Sequence, residues 1–243
     1  MTERSNKINK LIRGRYAKLG DELSPIPDGI VSINNYCDDE ITRHKILWVL
    51  KDPYETMGGW KFTSDINLKY LECMKLPAMA IIANISFGIL NSRQYSNNSL
   101  SNKLFDMKRV ADSISQIAFI NIKKTLGNPY SFGWEIEDSY IRDKEIILMQ
   151  IKLYLPDAII ICGLEKCGSA QKMLLKDLKI DSENFISLGK NSSIKYFSDT
   201  NRIIISAYPL TYVYNNHVAS REKYCNDIIN IVNLWIDAKS RRN

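Results

Sequence analysis

The sequence predicts an α/β fold of three layers (α/β/α), with helices on both faces of a central, mainly parallel sheet of four strands. Short apolar runs rich in β-branched residues alternate with longer segments in which apolar residues recur at helical spacing. No linker rich in Pro, Gly or Ser divides the 243 residues. We therefore expect a single domain over residues 1–243, with a basic, helical N-terminal extension over about residues 1–40.

The four predicted strands are short and bounded by turn residues, which is typical of strands buried on both faces. They cover residues 45–50, 117–122, 157–162 and 202–207. Helical periodicity predicts helices over residues 78–91, 101–116, 138–154, 164–179 and 220–239. The alternation of the two element types favours parallel strands that are joined by helical crossovers.

Composition limits the classes of partner and environment. Lys and Arg outnumber Asp and Glu by 33 to 27, and the resulting net charge of +6 suits a polyanionic partner such as DNA or RNA. The five cysteines show no close CxxC spacing, so we expect reduced core thiols in a cytoplasmic protein. Because no apolar run reaches 18 residues, we expect no membrane anchoring. No heptad pattern predicts a coiled coil, and we expect a monomer.

Polar residues follow the predicted strands at the carboxyl edge of the sheet, where open α/β proteins bind their ligands. Asp52 comes directly after the first strand and is our first candidate for chemistry; the alternative is a turn or a helix N-cap. Asn121 lies at the end of the second strand, and its alternative is a structural amide bonded to neighbouring backbone.

Three short motifs follow the predicted strands in order. Leu50-Lys51-Asp52-Pro53-Tyr54-Glu55 begins at the end of the first strand. The third strand runs into Gly163 and then Ala170-Gln171-Lys172, and the last strand leads into Ala207-Tyr208-Pro209-Leu210. In this order the motifs resemble those of the uracil-DNA glycosylase superfamily, which read Gly-Gln-Asp-Pro-Tyr-His, Ala-Gln-Lys and Ala-His-Pro-Ser; the central Asp-Pro-Tyr of the first is shared. The resemblance covers about residues 44–236.

The resemblance implies an enzyme that flips uracil or a related damaged base out of DNA and hydrolyses its N-glycosidic bond. Asp52 would position a water molecule or stabilise the cationic sugar, and Asn121 would read the edge of the base. Tyr54 would belong to the same pocket, in which the ring of Trp60 or Phe62 would stack on the base.

The last motif departs from the family, because Tyr208 replaces the histidine that donates a hydrogen bond to the leaving base. Tyr208 itself or His217, in the loop just beyond, would have to supply that donor. Lys51, Lys123 and Lys124 are the predicted contacts to DNA phosphates. For the last two, the alternative is the solvated end of a strand.

The sequence predicts neither a cofactor nor a metal ion. Some branches of the family hold an iron-sulfur cluster on four cysteines, but the cysteine spacing here offers no matching set. Neither His44 nor His217 has a partner at metal-ligand spacing. The aromatic residues Tyr130, Phe132 and Trp134 are predicted to pack within their loop, with base stacking as the alternative.

Two other functions stay open at this stage. One is a catalytically weakened module on the same fold, which binds a nucleobase or DNA without turnover. The other is a doubly wound enzyme that acts on a free nucleotide. Neither a Walker loop nor a Gly-x-Gly-x-x-Gly fingerprint supports the second alternative.

Overall fold

A computed structural model describes residues 10, 11, 14, 28–40, 42–53, 77–92, 109, 110, 112–125, 131–165, 167–188, 194–208, 210 and 218–242. These residues form a mostly parallel sheet with helices on both faces, which confirms the predicted α/β class. The prediction of four strands is wrong, because the sheet that the described residues form has six. Among the described residues, no helix combines the length and the apolar character that a membrane span requires.

The strands are β1 (Ile46–Leu50), β2 (Ile117–Asn121), β3 (Ala158–Cys162), β4 (Ile186–Ser187), β5 (Lys195–Ser198) and β6 (Ile203–Ala207). Four of them, β1, β2, β3 and β6, are the predicted ones, and each agrees with its prediction to within one residue at either end. The two unpredicted strands form an antiparallel hairpin that pairs with β6. Their apolar signal is weak because both residues of β4 and the two ends of β5 are exposed.

The helices are α1 (Ile33–Cys37), α2 (Pro77–Leu90), α3 (Gly133–Tyr154), α4 (Ala170–Asp177) and α5 (Val218–Ser240). The described part of the predicted 101–116 helix is helical at residues 109, 110 and 112 and continues as a 3-10 turn, Ser113–Gln116. α3 begins five residues earlier than predicted. α4 begins six residues later, because the chain first turns through Gly168, whose φ is +58°.

The two faces of the sheet carry separate apolar cores. On one face, Ile46 and Trp48 pack with α2 and α5. On the other, Leu47 and Val49 pack with α1, α3 and α4. The indole N–H of Trp48 donates to the hydroxyl of Ser86 in α2 at 3.1 Å, so the one polar atom of this buried ring is satisfied. β1 is thereby held on both faces just before Asp52.

The outer edge of β2 is covered by residues 28–31, which belong to the predicted N-terminal extension. The N–H of Phe119 donates to the carbonyl of Gly29 at 2.9 Å, and the N–H of Val31 donates to the carbonyl of Ile117 at 3.2 Å. Glycine is required at position 29, where φ is +137° and a side chain would collide with the hydroxyl of Tyr154. This segment brings Asp28 to the carboxyl end of β2.

Candidate functional site

The order of the strands defines the place where a ligand would bind. The sheet runs β2-β1-β3-β6-β5-β4, so from β1 the chain proceeds to β2 on one side and then to β3 on the other. Open α/β sheets bind ligands outside the carboxyl ends of the strands at such a reversal. Lys51 and Asp52 follow β1 at this point, and Gly163 follows β3.

Asp52 is a largely buried carboxylate, with its side chain 9% exposed. Its Oδ2 accepts a hydrogen bond from the hydroxyl of Ser131, two residues before α3, and Lys51 Nζ lies 3.8 Å from its Oδ1. Burial raises the pKa of Asp52, although the Ser131 hydrogen bond and the charges of Lys51 and Lys123 oppose the increase. A carboxylate in this state holds its proton more strongly than an exposed one and is the better general base.

Asn121 is the last residue of β2 and is 1% exposed. Among the described residues, neither its side-chain Nδ2 nor its Oδ1 has a hydrogen-bond partner. Its backbone N–H donates to Asp28 Oδ2 at 2.6 Å, which holds the main chain at this point. Buried amides are normally bonded, and this one therefore offers a donor and an acceptor to a ligand.

Asp52 and Asn121 lie at the ends of adjacent, hydrogen-bonded strands. Leu50 is the register partner of Asn121, and the pairing continues beyond both strands. The N–H groups of Ile122 and Lys123 donate to the carbonyls of Leu50 and Lys51 at 2.9 and 3.0 Å. Since neighbouring strands lie about 4.8 Å apart, the two predicted site residues share one edge of the sheet.

Lys124 is fully buried and is the cation of an internal ion pair. Its Nζ donates to both carboxylate oxygens of Asp28, at 3.0 and 2.8 Å, and to Gln150 Oε1 at 2.9 Å. Burial lowers the pKa of Lys124, and the Asp28 charge opposes the decrease. The phosphate contact that the sequence predicts for Lys124 would require this network to open.

The other two predicted lysines lie beside Asp52. The side chain of Lys51 is 26% exposed, and that of Lys123 is 14% exposed, with its Nζ 3.7 Å from Glu135 Oε2 in the first turn of α3. The thiol of Cys167 belongs to the same neighbourhood. Burial raises its pKa, the charge of Lys51 opposes that increase, and the charge of Asp52 adds to it.

Tyr208 directly follows β6 at the same edge of the sheet. Its carbonyl accepts from the hydroxyl of Tyr224 at 3.2 Å, and its partly buried ring packs against the apolar core between the sheet, α2 and α5. β3 separates β6 from β1, so Tyr208 and Asp52 are two strands apart. The predicted site residues Tyr54, Trp60, Phe62 and His217 lie outside the described residues.

Sequence reasoning missed Ser131 and Asp28, which bond the two central residues of the site. Ser131 is 79 positions from Asp52, and Asp28 is 93 positions from Asn121. No local pattern marks either residue, because only tertiary folding brings these segments together. Gln171, in the Ala-Gln-Lys segment, donates to the hydroxyl of Ser206 at 2.8 Å, and its buried Oε1 has no partner among the described residues.

A separate surface groove of about 430 Å³ contains none of the predicted site residues. It is lined by Lys172, Lys176, Lys179, Ile180, Asp181 and Ser182. Within the described ranges, no three His, Cys, Asp or Glu side chains are grouped so that they could hold a metal ion.

Comparison with models of known protein families gave no match, and comparison with curated proteins gave none either.

Proposed function

We propose that the protein is a DNA base glycosylase, which hydrolyses the N-glycosidic bond of uracil or a related damaged base flipped out of DNA. The observation that carries the proposal is the amide of Asn121, which is buried at the carboxyl edge of the sheet and has no partner among the described residues. It lies beside β1, which ends two residues before Asp52. The edge of a pyrimidine base has both donors and acceptors, so one base would satisfy both atoms of this amide.

The reaction needs few groups. Water attacks the sugar carbon as the bond to the base nitrogen breaks, and the base leaves with the electron pair of that bond. In our proposal, Asp52 accepts the proton of the attacking water and stabilises the positive charge that develops on the sugar. Lys51 and Lys123 lie beside Asp52 and would bind the flanking phosphates.

A binding module without turnover is the second candidate, and the environment of Tyr208 favours it. This residue occupies the position of the family's histidine in the sequence resemblance, and its ring packs against the core. A tyrosine held there is a less mobile donor to a leaving base than a histidine in an open loop. In this second function Asn121 would still bind the base, and no bond would break.

The deciding experiment uses labelled oligonucleotides that each contain one uracil, hypoxanthine or xanthine, in single- and double-stranded form. After incubation, alkali cleaves the strand wherever a base has been removed. We expect cleavage of at least one substrate by the wild-type protein and a loss of about 10²- to 10⁴-fold in Asp52→Asn, the range for a general base. Asp138→Asn, an exposed carboxylate on α3, is the matched control and should keep full activity.

Two results would contradict the enzymatic proposal. Cleavage that persists in Asp52→Asn would remove Asp52 from the mechanism. Binding of base-containing DNA that weakens in Asn121→Ala, with no cleavage of any base by the wild-type protein, would establish the binding module instead.

A further inference from the structure

Two large aromatic side chains at the start of α3 are exposed, contrary to the prediction that they pack within their loop. Phe132 is 63% exposed and Trp134 is 62% exposed. The third aromatic residue of the predicted cluster, Tyr130, lies outside the described residues. Exposure of this extent leaves most of both side-chain surfaces open to a binding partner.

The two rings lie nearly parallel. Their centroids are 6.2 Å apart, and the angle between their planes is 12°. This is the offset-stacked arrangement that aromatic pairs favour. The other exposed large apolar residues in the described ranges, such as Ile141 and Leu234, are not aromatic. Within the described part of the chain, Phe132 and Trp134 are therefore distinctive as adjacent, coaligned and exposed aromatic rings.

The aromatic pair is next to the candidate site. Ser131, which donates to the Asp52 carboxylate, directly precedes Phe132. Glu135, whose Oε2 is 3.7 Å from Lys123 Nζ, directly follows Trp134. The residues that carry the rings are thus direct neighbours in the chain of a site that holds two carboxylates, Asp52 and Glu135, and two lysines, Lys51 and Lys123.

We propose that Phe132 and Trp134 form a stacking platform for an unpaired nucleobase, next to the base that enters the site. The identity of the partner as DNA rests on the proposed function. Stacking on aromatic rings is a common means of holding single-stranded nucleic acid, because every base has a π face, and nearby cations hold the backbone. The net charge of +6 favours this partner over an apolar protein surface. Lys51 and Lys123, which lie 3.8 and 3.7 Å from the carboxylates of Asp52 and Glu135, are the cations of the neighbouring site.

The test measures binding without catalysis. The probe is a fluorescein-labelled, single-stranded 12-mer of thymidine that contains no damaged base. Its Kd is measured by fluorescence anisotropy, and an unlabelled 12-mer is used to record tryptophan emission. We expect Trp134→Ala and Phe132→Ala each to weaken binding by about 5- to 150-fold, which corresponds to the known effect of one stacked base. Trp134→Phe should retain binding to within a few fold.

Ile141→Ala is the matched control because Ile141 is 59% exposed on the same helix, two turns further along. It should leave Kd unchanged. DNA should quench tryptophan emission in the wild-type protein, and this quenching should be reduced in Trp134→Ala. Both alanine variants should melt close to the wild-type temperature, since exposed side chains contribute little to stability.

Binding of the 12-mer tests the stacking platform independently of the glycosylase activity proposed above for Asp52 and Asn121. Unchanged Kd in both alanine variants, or no binding of the 12-mer by the wild-type protein, overturns the stacking platform even if uracil is excised. Loss of binding in the variants supports the platform even if no base is excised by the wild-type protein. An equal loss in Ile141→Ala would overturn it, because the effect would not be specific to the aromatic pair.

Discussion

Asn121 has a buried amide whose donor and acceptor find no partner among the residues that the structure describes. A buried polar group without a hydrogen bond destabilises the folded protein by about 1 to 3 kcal/mol. The presence of Asn121 at this position is explained if a ligand supplies the missing hydrogen bonds. Its backbone is held by Asp28, so the amide is fixed in place before any ligand binds. Such preorganisation reduces the entropy lost on binding.

We predict that Asn121→Leu, a change to an apolar residue of similar size, stabilises the protein and abolishes base excision. The free energy of unfolding should rise by about 1 to 3 kcal/mol, because the cost of the unsatisfied amide disappears. Urea denaturation measures the change, and the alkali assay measures the activity. Destabilisation by 1 kcal/mol or more would indicate that the amide has a structural partner.

Asp52 leads to a prediction about pH. Burial raises its pKa, and the reacting form is the deprotonated carboxylate, so activity should fall as the pH drops through this raised pKa. The hydrogen bond from Ser131 lowers the pKa of Asp52, so Ser131→Ala should raise it further. The acid limb of the kcat/KM profile should then move to higher pH, with activity recovered at alkaline pH. A loss of activity that is equal at all pH values would mean that Ser131 only positions Asp52.

At the scale of elements, one buried network joins three parts of the fold. Asp28, on the segment that covers the edge of β2, accepts from Lys124 after β2 and from Gln150 on α3. The carboxylate also accepts from the backbone of Asn121. The ion pair therefore fixes the end of β2 against its edge segment and the helix above it.

We predict that Lys124→Met destabilises the protein by about 3 to 5 kcal/mol, because it leaves the Asp28 carboxylate buried without a countercharge. The double variant Asp28→Asn/Lys124→Met should lose much less than the sum of the two single changes. Chemical denaturation of all four proteins gives the coupling free energy. Additive losses would show that the two side chains contribute independently.

At the scale of the whole molecule, the parallel order of β2, β1 and β3 brings three loops to one edge of the sheet. The carboxylate, the amide and two of the lysines come from segments far apart in the chain and meet only there. If DNA is the substrate, as we propose, a net charge of +6 would add a general attraction to it, which salt would weaken.

We predict that removing a lysine that contacts DNA phosphate makes DNA affinity depend less steeply on salt concentration. Each phosphate contact contributes about 0.9 to the slope of log affinity against log salt concentration, so Lys51→Ala should reduce the slope by about that amount. Lys152→Ala, an exposed lysine in the last turn of α3, is the control and should leave the slope unchanged. The measurement is binding of duplex DNA by anisotropy between about 50 and 200 mM salt, where log affinity falls linearly with log salt concentration. An unchanged slope in Lys51→Ala would exclude a phosphate contact by that residue.

The buried strands could be predicted because their signal is local. Runs such as Ile46–Leu50 and Ala158–Cys162 are apolar throughout, and a strand buried on both faces needs no other pattern. The hairpin of β4 and β5 was missed because its residues are half exposed and acquire strand geometry by pairing with β6. The exposure of Phe132 and Trp134 was missed for a similar reason, since aromatic composition does not determine whether a loop buries its rings.

The sequence by itself determined the α/β class, the four parallel strands and the placement of Asp52 and Asn121 at strand ends, because each follows from hydrophobic patterning within a few residues. Tertiary structure alone decided which side chains those two residues meet. Lys124 illustrates the difference: its sequence neighbours indicate an exposed strand end, whereas Asp28, 96 residues away, makes it the cation of a buried pair. Burial and charge pairing depend on contacts between segments that are distant in the sequence, and these contacts cannot be predicted from local sequence.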